Sequence, residues 1–167
     1  MALARSVLVL WGVDDILVDT RGPGGALPGA ARALAALSRE PGLVQSVVTR
    51  DLRQVVGGKL AALDLDRYLD LAVGAYGEDG GLVAVALRRA AASYGQVFDQ
   101  DNTFVIGASS HDVDAALTAG AQAIGVSSRG EPSHQLRDMG AVTTWFDLTD
   151  TAAFVAFLVP QGRPAGG

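Results

Sequence analysis

Short apolar runs alternate along the chain with longer stretches in which alanine and leucine recur at helical spacing. The runs predict strands at Ser6–Gly12, Leu43–Thr49, Leu71–Gly74, Thr103–Gly107, Ala123–Ser127 and Val142–Phe146. The stretches between them predict helices at Pro28–Arg39, Asp51–Leu63, Leu82–Tyr94, Asp112–Ala119, Ser133–Met139 and Asp150–Leu158. Val56, Leu60 and Leu63 fall at i, i+4 and i+7, as one buried helical stripe requires, and Val83, Leu87, Ala90 and Tyr94 behave alike. Pro28 suits a first helical turn, and Gly95 and Gly120 suit helix ends.

Strands alternating with helices imply right-handed crossovers and a parallel sheet covered on both faces. The runs "SVLVLWG" and "TFVIG" are almost wholly apolar, as strands buried on both sides should be. The predicted fold class is therefore α/β, a three-layer doubly wound parallel sheet in one domain over residues 1–160. "RGPGG" (21–25) reads as a loop and "QGRPAGG" (161–167) as a flexible tail.

Composition narrows the partners. Hydrophobic residues make up 49% of the 167, which suits a packed α/β core. The net charge of −5 and the scattered arginines, with Lys59 the one lysine, argue against nucleic acid and acidic membranes. No cysteine is present, which removes thiol chemistry and disulfides. The run Val7–Val13 is too short to span a bilayer. A soluble, cytoplasmic protein is expected.

In a doubly wound sheet, ligands bind beyond the carboxyl ends of the strands. Those positions hold Gly12, Val13, Asp14 and Asp15 after the first strand, and Thr49 and Arg50 after the second. After the fourth come Gly107, Ala108, Ser109, Ser110, His111 and Asp112. Four stretches there form a pattern: "GVDDILVDT", "SVVTRD", "VIGASSHDVDAALTAGA" and the linking "LDRYLDLAVGAYGEDG". In order and content they resemble the haloacid dehalogenase superfamily, closest to its phosphoglycolate phosphatase-like branch. The resemblance runs from residue 7 to about residue 150 and implies that superfamily's Rossmann-like core.

It also implies where the chemistry has changed. The family's nucleophilic Asp, which forms an aspartyl-phosphate, corresponds to Gly12, and its general acid/base is kept as Asp14. The family's following Gly-Thr is replaced by Asp15 and Ile16. Its phosphate-binding hydroxyl corresponds to Thr49, with Arg50 and Ser109 as further anion-binding candidates. Its first magnesium-binding Asp of the last motif corresponds to Ala108, and the later Asp is kept as Asp112. Its lysine is expected near residues 78–84, where none stands; Lys59 lies on another predicted helix.

Magnesium needs several hard oxygen ligands, and Asp112 alone is a weak anchor. Loss of a covalent nucleophile can cost roughly 10⁶ in rate. The expected cofactor set is therefore empty, with magnesium only if the site works after all. Only 36 residues separate Gly12 from Thr49, and a helix and a strand use most of them, so the family's inserted cap is expected to be missing.

Single residues also have plainer readings. Asp14 can bond to loop N–H groups, Asp15 can be a turn residue, and Asp112 can sit in a helix first turn. Thr49 and Arg50 can hold an anion at a helix start, or Thr49 or Asp51 can cap that helix. His111 and His134 share no zinc-ligand spacing, "GPGG" lacks the lysine of a phosphate loop, and Trp11 and Trp145 read as core. The leading expectation is a capless, catalytically degenerate member, a pseudophosphatase that binds a protein partner or pairs as a homodimer. The alternative is a hydrolase of a small phosphorylated molecule with a site rebuilt around Asp14, Asp15, Ser109 and Asp112.

Overall fold

Val7, Val9 and Trp11 face one side of the first strand and Leu8 and Leu10 the other, and all five are buried. A strand with no polar face can only sit inside a sheet covered twice. The structure, a computed structural model, describes residues 5–22, 24–77 and 80–162. In chain order the elements are β1 (Val7–Trp11), α1 (Ala30–Ser38), β2 (Leu43–Thr49), α2 (Arg53–Ala62), β3 (Ala75–Tyr76) and α3 (Leu82–Tyr94). They continue with β4 (Thr103–Gly107), α4 (Ser110–Thr118), β5 (Gln122–Val126), α5 (Ser133–Met139), β6 (Thr143–Trp145) and α6 (Thr151–Gly162).

All neighbouring strands are parallel, in the order β3-β2-β1-β4-β5-β6. The order reverses between β1 and β4, which creates the crevice where such sheets bind ligands. One apolar layer joins β1 to α1, α2 and α6 through Leu34, Leu37, Val56, Leu60, Phe154 and Leu158. The opposite layer joins it to α3, α4 and α5 through Val83, Leu87, Val113, Ala116 and Leu136. This is the expected three-layer doubly wound sheet. Trp11 is fully buried, and its indole N–H donates to Gln45 Oε1 at 3.0 Å. Gln45 in turn donates to the Leu34 carbonyl at 3.0 Å, so a buried amide is satisfied where β2 meets α1.

The expected strand at Leu71–Gly74 does not form. Leu71–Val73 is instead a short 3₁₀ turn, because Asp70 accepts from the Ala72 N–H at its start. Pairing with β2 begins only at Ala75. Gly74 passes so close to β2 that a Cβ there would lie 2.9 Å from the Val47 carbonyl oxygen. Elsewhere α1 begins after Pro28, with Gly29 at its N-cap. Along the two helical stripes Leu63 is half-buried and Tyr94 is exposed. Helix α6 runs through Gly162, two residues into the expected tail, and residues 163–167 lie outside the described residues.

Between β1 and β2 the described residues form a turn, two isolated bridges and α1, with no inserted cap. Among the described residues no helix is long and apolar enough to cross a membrane.

Candidate functional site

The chain leaves β1 at Gly12, whose N–H donates to the Ile106 carbonyl at 2.8 Å and so ties β1 to β4 at the switch point. The N–H groups of Leu17 and Val18 both turn back to the Val13 carbonyl, at 2.9 and 3.0 Å. Ile16, Leu17 and Val18 are buried beneath this turn, which leaves Asp14 exposed on top and Asp15 half-buried. Asp15 has a φ of 61°, a left-handed conformation that Asp tolerates better than most residues. Its Oδ1 accepts from the Thr20 hydroxyl at 2.7 Å, so the side chain is spent on the turn.

Asp14 has a partner that sequence reasoning placed elsewhere. Lys59, on α2, brings its ammonium to 3.3 Å from Asp14 Oδ1 and 2.9 Å from Asp51 Oδ2. The hydrogen bond to Asp51 and the Asp14 charge hold this lysine above its usual range, partly offset by desolvation. The three side chains remain partly exposed, so each pair is worth about 0–1 kcal/mol.

The hydroxyl of Thr49 accepts from the Asp51 N–H at 3.1 Å. Neither of these residues caps α2, whose N-cap is Leu52. Arg50 reaches across to α4 and lies 3.0 Å from His111 Nε2. A guanidinium has no acceptor, so in this contact His111 presents the lone pair of Nε2.

These residues border a cleft of about 550 Å³ lined by Gly12, Asp14, Thr49, Arg50, His111 and Asp112, among others. The cleft runs between α3 and α4, lined by Val48 and Val105 of the sheet, Val83 and Ala84 of α3, Ala115 of α4 and Ala119 just after it.

The other half of the crevice is filled by the protein itself. Ser109 and Asp112 form a capping box: Ser109 Oγ accepts from the Asp112 N–H at 3.1 Å. Asp112 Oδ2 accepts from the N–H groups of Ala108 and Ser109, at 3.0 and 3.2 Å. The loop after β5 then folds over Ala108. A Cβ on Gly130 would stand 2.2 Å from the Ala108 carbonyl oxygen, and the Glu131 N–H donates to that oxygen at 2.8 Å. The Glu131 carboxylate accepts from both the N–H and the hydroxyl of Ser110 at the start of α4, the hydroxyl at 2.7 Å. First the hydroxyl and then the N–H of Ser110 hold the Glu131 carboxyl below its usual range. Arg129 pairs with Asp19 at 3.3 Å, and Arg21 donates to the Arg129 carbonyl at 3.1 Å, which ties this loop to the one after β1.

The residues do not fit a magnesium ion. Gly12 and Ala108 supply no side-chain oxygen, Asp112 is turned back into its capping box, and Asp14 is paired with Lys59. Among the described residues no cluster of three His, Asp or Glu side chains could hold a metal.

Of the expected site residues, Gly12, Asp14, Thr49, Arg50 and Asp112 line one cleft, whereas Asp15, Ala108 and Ser109 do not. Residues 80–84 hold no lysine, and positions 78 and 79 of the expected lysine window lie outside the described residues. Lys59, Arg129 and Glu131 were not foreseen. Lys59 meets Asp14 across 45 residues and Asp51 across eight, and Arg129 and Glu131 meet partners 110 and 21 residues away, so no helical or strand spacing marks them.

No family model and no curated protein sequence matches this chain. Solved structures do. A protein assigned as a beta-phosphoglucomutase from Thermotoga maritima superposes with a TM-score of 0.74 at 14% identity, covering 91% of this chain and 99% of that one. A haloacid dehalogenase-like hydrolase from Streptococcus pneumoniae gives 0.71 at 11% identity, over 90% and 98% of the two chains. A hydrolase from Pseudomonas syringae gives 0.63 at 27% identity over 80% of this chain, which spans 63% of that protein. Two of these likenesses cover both chains almost from end to end at low identity, so what they share is architecture. The chain has the fold of the haloacid dehalogenase superfamily.

Proposed function

We propose that this protein is a catalytically degenerate phosphatase-fold protein whose role is binding rather than phosphoryl transfer. The observation that carries the reading is the loop after β5, packed over Ala108. Where the resemblance places a nucleophile and a metal-binding carboxylate stand Gly12 and Ala108, and Gly130 and Glu131 pack over Ala108. A phosphate dianion entering here would meet Asp14, Asp51 and Asp112, with Lys59 already shared between the first two and Arg50 the one other cation among the described residues of the cleft. The open mouth of the cleft supports a binding role, as do Phe146, 72% exposed, and Val142 beside edge strand β6, which leave surface for a protein partner or a second copy. Titration of the labelled protein with millimolar MgCl₂, followed through its amide resonances, tests the loss of the metal site. The reading expects no saturable shifts at residues 12–15 or 107–112. Saturable shifts centred on Asp14 and Asp112 would contradict it.

The contact between Lys59 and Asp14 favours a second reading, a hydrolase of a small phosphorylated molecule. There Lys59 would neutralise charge beside Asp14, the one carboxylate left to work as acid and base. That reading expects turnover that both Asp14→Asn and Lys59→Met abolish. The degenerate reading expects none to abolish.

A further inference from the structure

Helices α3 and α4 pack on the same face of the sheet but leave a groove between them that opens at its carboxyl edge. Its volume, about 550 Å³, lies within the range of small-molecule sites. The floor is Val48 and Val105, and the walls carry small side chains, so the trough is apolar. Gly81, which lines the groove, has a φ of 75° and, among the described residues, nothing within 4 Å of where a Cβ would project.

The polar end is more selective. Arg50 is the only Lys or Arg among the lining residues. Four carboxylates line the same cleft: Asp14 and Asp51, both paired with Lys59; Asp112, inside its capping box; and Asp114. With Asp14 and Asp51 offset by Lys59 and Asp112 held by backbone N–H groups, Arg50 is left to bind one negative charge. A second charge on the ligand would meet the remaining carboxylates of the cleft. The planar fork of Arg50 matches a carboxylate with two parallel N–H donors. Its contact with Nε2 of His111 is one that an incoming carboxylate can replace.

We infer that the groove between α3 and α4 binds a small monocarboxylate with an apolar body. The carboxylate sits at Arg50 and the body lies along Val48, Val105, Val83 and Ala115. This assignment rests on the reading that the protein binds rather than hydrolyses, and it supplies the ligand class.

Sodium octanoate is the probe, titrated into the full-length labelled protein beside octan-1-ol and octyl phosphate. The expected result is saturable amide shifts at Arg50, Val83, Val105 and Ala115, with octanoate binding about tenfold tighter than either comparison compound. Arg50→Gln, at an exposed position, should weaken octanoate about tenfold and leave octan-1-ol unaffected. Ala115→Leu should fill the groove and remove binding while the amide spectrum stays dispersed. Absence of saturable shifts with octanoate, shifts that map to another surface, or octyl phosphate binding as tightly as octanoate would each overturn the assignment. Such a failure leaves the loss of hydrolysis standing, because that is read separately from turnover of an aryl phosphate.

Discussion

Asp15 shows how a position can change its residue and keep its geometry. The resemblance places glycine there, and the backbone is still left-handed, with a φ of 61°. The carboxylate compensates by accepting from the Thr20 hydroxyl and N–H, at 2.7 and 3.3 Å. Asp15→Ala keeps the strained backbone and loses those bonds, so urea denaturation should register a loss of about 1–2 kcal/mol. Asp15→Gly relieves the backbone while losing the same bonds, and should stay within about 0.5 kcal/mol of wild type. Gly12 differs in kind. Its φ lies outside the left-handed range, and a Cβ would come 3.1 Å from the Ile106 carbonyl and 3.4 Å from Ile16, so a small neighbour shift would admit a side chain. Backbone geometry alone does not require glycine at position 12.

At the scale of elements, the loop between β5 and α5 closes one half of the crevice, and two of its residues test that role. Gly130→Ala would drive a methyl into the Ala108 carbonyl, 2.2 Å away, and should cost about 1–3 kcal/mol. Glu131 carries the pH dependence. Its folded carboxyl lies below the ordinary value of 4.5, so its ionised form stabilises the fold above that value. The contribution falls away as pH drops through 4.5 and then through the lower folded value. The Tm gap between wild type and Glu131→Gln should therefore be widest near neutrality and narrow as pH falls below about 4.5. A constant gap would assign the effect to packing instead.

The sequence marks some elements well and others poorly, for physical reasons. Leu43–Thr49, Leu82–Tyr94, Thr103–Gly107 and Ser133–Met139 form as their patterns imply, because burial and local propensity agree there. Leu71–Gly74 fails because four apolar residues suit a turn as well as a strand, and Asp70 settles the choice locally. The cleft residues on strand ends were readable from the sheet rule alone. Lys59, Arg129 and Glu131 were not, because only the folded topology brings each to its partner.

Across the whole molecule, the Rossmann-like order of strands survives with the crevice divided in two. One half is sealed by Arg129, Gly130 and Glu131, and the other stays open as an apolar groove with one arginine at its mouth. This division implies that placing carboxylates at positions 12 and 108 is not enough for activity. The double variant Gly12→Asp, Ala108→Asp should fold yet remain without Mg²⁺-dependent activity, because the β5–α5 loop already fills the space beside residue 108. The most direct test of the proposal that this protein carries out no phosphoryl transfer is Mg²⁺-dependent hydrolysis of an aryl phosphate by the wild type, with Asp14→Asn in parallel. The account predicts no turnover above buffer for either protein. Turnover by the wild type that disappears in Asp14→Asn would contradict it and locate a working site at Asp14.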